Sequence, residues 1–346
     1  MNFSTITTTI KYSLETKELH NQRILYSCND WGYGHVSRSI GIIRQLTSQN
    51  NKLFFAGTST QRAIIQSYFP EVICIELNGY NFKFKGSGKW NLEILRNIFQ
   101  LILSIRKEKK TLNKICKELE IHSIISDHRY GFFHEAIPSY FITHQLTLPV
   151  KGIKKIGNYW HLYQLKKFTS IWVLDNSKNT YAGDLSKTTS NQLKIKKIGI
   201  QSRFTPIKQT NEKSTQNILA VISGPFPYSF QLLEEIIAYA RSTSFAIKCI
   251  LPTELNKPTN FPKNITFYSS NNWKDLDEMY YNCVGIISRS GYTTLMDIEI
   301  LQKKACLIPT PGQPEQMYLT KLHTNKYTSN LSTLAPDYFL SKDSEN

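Results

Sequence analysis

At 346 residues the chain exceeds the usual span of one hydrophobic core and predicts two domains of ordinary size. With 40% hydrophobic and 20% charged residues, global disorder is excluded. The 42 Lys and Arg against 26 Asp and Glu give a net charge of +16, which favours phosphorylated substrates, an anionic membrane surface or nucleic acid, or else reflects only a Lys-rich surface.

Residues 1–22 are Thr- and Ser-rich without the apolar stretch of a secretory leader, and read as a polar tail. From Arg23 the pattern alternates. Arg23 to Cys28 is rich in strand formers, Asn29 to Gly34 is a Gly-containing turn, and Val36, Ile40, Ile43 and Leu46 then share one helical face. Strands are predicted at 52–56 and 72–77. A long helix over 91–119 carries Leu95, Ile98, Ile102 and Ile105 at helical spacing, and a strand at 122–126 runs into Asp127. The apolar run 94–105 is broken by Arg96, Asn97 and Gln100, short of the roughly 20 residues a spanning helix needs. Segment 208–215 is polar and reads as linker surface. The second half repeats the plan, with strands at 217–222, 245–251, 264–268, 284–288 and 305–309 and helices at 231–239, 273–281, 294–301 and 314–323. Such alternation implies parallel sheets with crossover helices, whose ligands gather at the carboxyl ends of the strands. The expected fold class is therefore α/β, with two doubly wound Rossmann-like halves facing a cleft, and the residues after Pro336 form a polar tail.

Three turns at predicted strand ends could carry chemistry. Gly32-Tyr33-Gly34-His35 leads from a strand into a helix, where glycines admit a ligand close to the backbone and helix amides favour an anion. His35 titrates near neutrality and suits proton transfer from a hydroxyl; the bland alternative is a polar helix start. Ser290, Gly291 and Thr293 offer hydroxyls and exposed amides that suit a diphosphate, and Asp297, one turn on, suits a ribose diol or simply a polar helix face. The loop 309–316 holds three prolines, Gly312, Gln313, Glu315 and Gln316; it is either a sugar-hydroxyl binder or a structural turn.

The order of these three motifs resembles the GT-B nucleotide-sugar glycosyltransferases, the closest well-known likeness being the UDP-N-acetylglucosamine transferase of lipid-linked peptidoglycan synthesis, a family 28 type. The resemblance runs from about Arg23 to His323 and is strongest over 284–316. It implies a GT-B fold with an acceptor-binding domain over 23–200 and a donor-binding domain over 201–335, followed by the tail 336–346. It implies transfer of a hexose or N-acetylhexosamine from a UDP-sugar to a glycan or lipid-linked acceptor, inverting and without metal or other cofactor. In that scheme His35 is the general base. Gly32, Gly34, Asp127, His128 and His144 lie on the acceptor side. Arg203 stands near the donor phosphates, Ser223 and Gly224 pack on the diphosphate although a Ser-Gly-Pro sequence replaces the family's Gly-Gly-Ser type, and Ser290, Gly291 and Thr293 complete that cradle. Asp297 replaces a ribose-binding glutamate, and Gln313, Glu315 and Gln316 read the sugar.

The metal reading of Asp275-Leu276-Asp277 is weak because the triplet opens a predicted helix, where acidic residues favour the dipole. His134 and Glu135 lack a second ligand at metal spacing. Six cysteines form no CxxC pair and most sit in apolar runs, so reduced core thiols in a cytoplasmic protein are expected and zinc is not. The basic end of the 91–119 helix suits peripheral contact with an anionic membrane, or a solvated helix end. Nucleic-acid binding is set aside, since no helix-turn-helix, zinc or Lys/Arg-aromatic motif accompanies the charge. A UDP-sugar 2-epimerase and a non-catalytic sugar-nucleotide sensor stay open as alternatives on the same fold.

Overall fold

The computed structural model of the chain describes residues 19–80, 90–149, 154–188, 190–206, 217–270, 272–335 and 338–340, the side chains of 90–96, 98, 154 and 155 excepted. Most of segment 1–22, the stretch 208–215 and most of the tail 336–346 lie outside those residues. The first half runs β1 (Arg23–Cys28), α1 (Gly34–Thr47), β2 (Lys52–Gly57), α2 (Ser59–Tyr68), β3 (Ile73–Glu76), α3 (Trp90–Leu119), β4 (Ser123–Asp127), β5 (Ser139–Thr143), α4 (Lys154–Leu165), β6 (Ser170–Val173) and β7 (Ile195–Lys197). The second runs β8 (Asn217–Val221), α5 (Tyr228–Ser242), β9 (Ala246–Leu251), β10 (Ile265–Ser269), α6 (Trp273–Asn282), β11 (Gly285–Arg289), α7 (Tyr292–Leu301), β12 (Lys304–Ile308) and α8 (Pro314–Leu322).

Two all-parallel sheets result, in the orders β3-β2-β1-β4-β5-β6-β7 and β10-β9-β8-β11-β12. Parallel neighbours need crossover connections, whose helices cover both faces. That is why β4 and β5 are buried at every residue and read as continuous rather than alternating runs. In each sheet the order reverses beside its first strand, between β1 and β4 and between β8 and β11. Crevices at those reversals are where such sheets take ligands, and all three predicted motifs follow strands at or next to them.

The two sheets share a core. Ile40 and Ile43 of α1 belong to one apolar cluster with Leu295, Met296 and Leu319 of the second half. Helix α1 packs on α7, and α2 on α6. Gly41 permits the closest approach: a Cβ there would lie 2.1 Å from the Ser202 carbonyl oxygen.

Several elements differ from their sequence readings. Helix α5 starts at Tyr228, three residues before the expected start, yet Ser223 and Gly224 still sit in the preceding loop and not at its amino end. Helix α7 starts at Tyr292 with Gly291 as its N-cap. In α3, Ile105 packs on the core with Leu101, Leu112 and Ile115 buried along the helix, while Ile102, expected on the same face, is exposed.

Candidate active site

The site is built where β1 and β4 end side by side, Cys28 paired with Asp127. After β1 the chain turns through Gly32, whose φ of 78° lies in the left-handed region that favours glycine. It enters α1 at Gly34, and His35 and Arg38, three residues apart, share the helix face turned to β4. His35 Nδ1 lies 2.9 Å from Asp127 Oδ1. Arg38 Nε donates to Asp127 Oδ2 at 2.7 Å, Arg38 Nη2 donates to Oδ1, and the same Nη2 lies 2.8 Å from His35 Nδ1. The Asp127 side chain is fully buried, whereas that of His35 keeps 17% of its surface open, so the ring forms the solvent edge of the cluster.

Electrostatics follow from that packing. Burial alone would raise the Asp127 carboxyl, but Arg38 and His35 outweigh it and hold the group well below the usual carboxylate range. Burial, with the Arg38 charge, lowers His35 below the ordinary histidine value against the pull of Asp127. The ring is therefore neutral near pH 7, the state that can accept a proton.

The second sheet completes one wall. Thr293, in the first turn of α7, donates to the Gly34 carbonyl at 3.0 Å, and a Cβ on Gly34 would stand 3.1 Å from that hydroxyl. His144, just past β5, stacks on Tyr292 with ring centroids 4.1 Å apart and planes 4° apart. Its Nε2 lies 2.9 Å from Glu315 Oε1, and Gln145 donates to Glu315 Oε2 at 2.6 Å. Burial would raise Glu315, but His144 and Gln145 outweigh it and lower the group. His128, left-handed at φ 61°, places its ring 5.8 Å from that of His35, with Nδ1 3.3 Å from Thr143 Oγ1. Burial holds His128 well below its ordinary value.

Other predicted residues stand differently from expectation. Arg203, expected beside the donor phosphates, is buried between α1, α6 and α7: it pairs with Asp277 at 2.7 Å, donates to Ser37 at 2.9 Å and reaches Asp297 at 3.8 Å. Asp297, expected to face a ribose, is buried and accepts from Ser202 Oγ. Ser290 spends its hydroxyl within the fold, donating to the Gln316 carbonyl at 3.2 Å and facing Thr320 Oγ1 at 2.9 Å. Gln313 caps α8, and Gln316 Oε1 accepts from the Thr310 amide at 2.8 Å, so both amides brace their own loop. Gly291 is different: no side chain caps α7, which leaves its first-turn amides as donors for an anion. Gly224, at φ 99°, lies exposed after β8, next to the sheet reversal.

Arg38, Gln145 and Tyr292 were not singled out from sequence, although the three-residue spacing of His35 and Arg38 on a helix was a usable signal. Asp277, set aside as a metal ligand, instead bridges Arg203 and Tyr68, whose hydroxyl donates at 2.6 Å. Among the described residues no group of three His, Cys, Asp or Glu side chains is arranged to hold a metal. Among them, too, no helix is long and apolar enough to cross a membrane.

No protein-family model matches the chain, and no curated protein matches it in sequence. Solved structures do match. The glycotransferase of kitacinnamycin superposes with a TM-score of 0.61 at 11% identity, covering 92% of this chain and 88% of that one. Spinosyn rhamnosyltransferase SpnG complexed with thymidine diphosphate gives 0.60 at 11%, over 88% of this chain and 84% of that one. Arabidopsis thaliana UGT89C1 complexed with UDP-L-rhamnose gives 0.60 at 10%, over 92% and 89%. MurG of Acinetobacter baumannii gives 0.49 at 14%, over 92% of this chain and 88% of that one. These likenesses show the fold, and the chain has the GT-B fold that its motif order implied.

Proposed function

We propose that the chain is a glycosyltransferase that moves a sugar from a nucleoside-diphosphate donor, UDP-linked, to an acceptor hydroxyl with inversion and without a metal ion. The observation that carries this reading is the neutral His35 ring backed by Asp127 at the sheet reversal, next to Gly34, whose carbonyl accepts from Thr293 in the uncapped first turn of α7. Acceptor binds over 23–200, near His35, His128 and the Gly32–Gly34 turn. Donor binds over 201–335. With its proton on Nδ1, donated to Asp127, His35 accepts the acceptor proton at Nε2 as the oxygen attacks the anomeric carbon. The departing diphosphate lies on the α7 amides and the Ser223–Gly224 turn, where fixed dipoles stabilise its growing charge. Two of the similar structures hold a nucleoside diphosphate or its sugar, thymidine diphosphate in one and UDP-L-rhamnose in the other, which supports that donor class.

The nature of the acceptor has one pointer. Helix α3 exposes Phe99, Ile102 and Leu103 beside Arg106, Lys107 and Lys110. Apolar and basic groups together favour an anionic membrane, so the acceptor is a glycan or lipid-borne sugar reached from the cytoplasmic face. Sedimentation with anionic vesicles tests this, and no binding at low salt rejects it. For the reaction itself, calorimetric titration with UDP, GDP and dTDP and their sugars is the first test. Binding by one nucleotide family is expected, and binding by none removes the transferase reading.

A further inference from the structure

His35 Nδ1 faces two neighbours with opposite demands. Asp127 Oδ1, 2.9 Å away, can only accept a hydrogen bond; Arg38 Nη2, 2.8 Å away, can only donate one. A neutral ring nitrogen carries either a proton or a lone pair, so it satisfies one of them at a time. With the proton on Nδ1, Asp127 is satisfied and Nε2 is free to act as a base. With Nδ1 accepting from Arg38, the proton sits on Nε2, which then has no lone pair with which to take a proton from an acceptor hydroxyl.

The guanidinium is well placed to decide between these states. It grips both Asp127 oxygens, and Arg38 is only 1% exposed. A planar fork bound at two points has little freedom to turn. Its Nη1 lies 3.5 Å from His144 Nδ1, and His144 in turn meets Glu315 of α8. The path from the second sheet to the base thus runs Glu315, His144, Arg38, Asp127, His35. The titratable and charged groups around His35 are Arg38 on α1, Asp127 and His128 at the end of β4, and His144 after β5. Arg38 is the one permanent cation among these four.

We propose that Arg38 is the positioning residue of the candidate base: its guanidinium sets which ring nitrogen of His35 carries the proton, and the His144–Glu315 pair keeps that guanidinium in register with the second sheet. This rests on the reading of His35 as the base. Asp127 favours Nδ1–H and a more basic ring; Arg38 lowers that basicity by neutralising the carboxylate, while its two-point grip keeps Asp127 Oδ1 aimed at Nδ1.

Nitrogen NMR of the full chain with 15N-labelled histidine tests this, with the His35 signals assigned by their loss in His35→Gln. Arg38→Gln, which keeps an amide donor without charge, should raise the His35 titration midpoint by about one pH unit or more, a roughly tenfold change in protonation. The acid limb of kcat/KM should move with it. Arg38→Lys, which keeps the charge without the planar fork, should leave the midpoint low but change the ratio of the two neutral tautomers. It carries the test if Arg38→Gln does not fold. A His35 midpoint and tautomer ratio unchanged from the parent chain in a folded variant overturns the proposal. The NMR readout needs no turnover. A shifted His35 titration in a protein that transfers nothing would therefore sink the transferase reading and leave the Arg38 assignment standing.

Discussion

Replacing Asp297 by Asn should make the protein more stable at neutral pH. Asp297 is buried, and burial raises its carboxyl from the ordinary value near 3.8 to about 6, with Arg203 and the Ser202 hydroxyl offsetting only part of the effect. For an acid whose folded value is raised, the folded state binds more protons than the unfolded state between those two values. Stability from this group is thus greatest below about pH 4 and falls as pH rises to about 6. The displacement corresponds to roughly 3 kcal/mol of destabilisation by the charged form at neutral pH. Asparagine keeps an oxygen for Ser202 and carries no charge, and Arg203 retains Asp277 at 2.7 Å. Thermal unfolding should accordingly show Asp297→Asn above the parent chain by about 4 °C at pH 7.5, for roughly 3 kcal/mol in a chain of this size, with the gap closing near pH 4. Comparison at one pH cancels every other titrating group. A variant less stable at pH 7.5, or a gap that does not depend on pH, refutes the reasoning.

Further outcomes follow from the same contacts. Asp127→Asn leaves the buried Arg38 charge unpaired and should cost about 3 kcal/mol in chemical denaturation, and it should lower turnover because His35 loses its orienting carboxylate. Asp127 and Glu315 both have depressed carboxyls; the stability they supply is present above the ordinary carboxylate value near 4 and is lost as pH falls below it, which acid unfolding curves will show as a loss concentrated there. Gly41→Ala places a methyl group 2.1 Å from the Ser202 carbonyl oxygen, so α1 must move off the segment joining the halves at a cost of about 2 kcal/mol, measured by denaturant midpoint. Thr293→Val removes the bond to the Gly34 carbonyl and should cost about 1 kcal/mol of stability.

Much of the fold was legible because parallel strands are short apolar runs followed by Gly-rich turns. The run Arg23 to Cys28 is β1 to the residue, and the later strands 217–222, 245–251 and 305–309 differ by a residue or two from the observed ones. The stretch from β5 to β7 was not segmented. Helix α4 carries a glycine inside it and an aromatic mixture, KKIGNYWHLYQL, that follows no clean period, and β7 is three half-buried residues with two lysines. Helix α7 is buried nearly all round, so its apolar residues show no stripe and its start was placed two residues late.

The site divides along similar lines. The Gly34–His35 turn and the Gly291 turn announce themselves through glycine and local order. What those residues touch depends on partners far away in sequence: Asp127 is 92 residues from His35, and Ser202 is 95 from Asp297. That is why the sequence places Arg203 and Asp297 against a ligand although the fold buries them 3.8 Å apart, and why it gives Arg38, three residues past the first motif, no role.

The most direct test is nucleoside diphosphate release in a buffer containing EDTA, with UDP-sugars supplied alongside glycan and lipid-extract acceptors. The account predicts acceptor-dependent UDP release by the parent chain that falls roughly a hundredfold in folded His35→Ala. Release undiminished in that variant, or seen only after manganese is added, would contradict it.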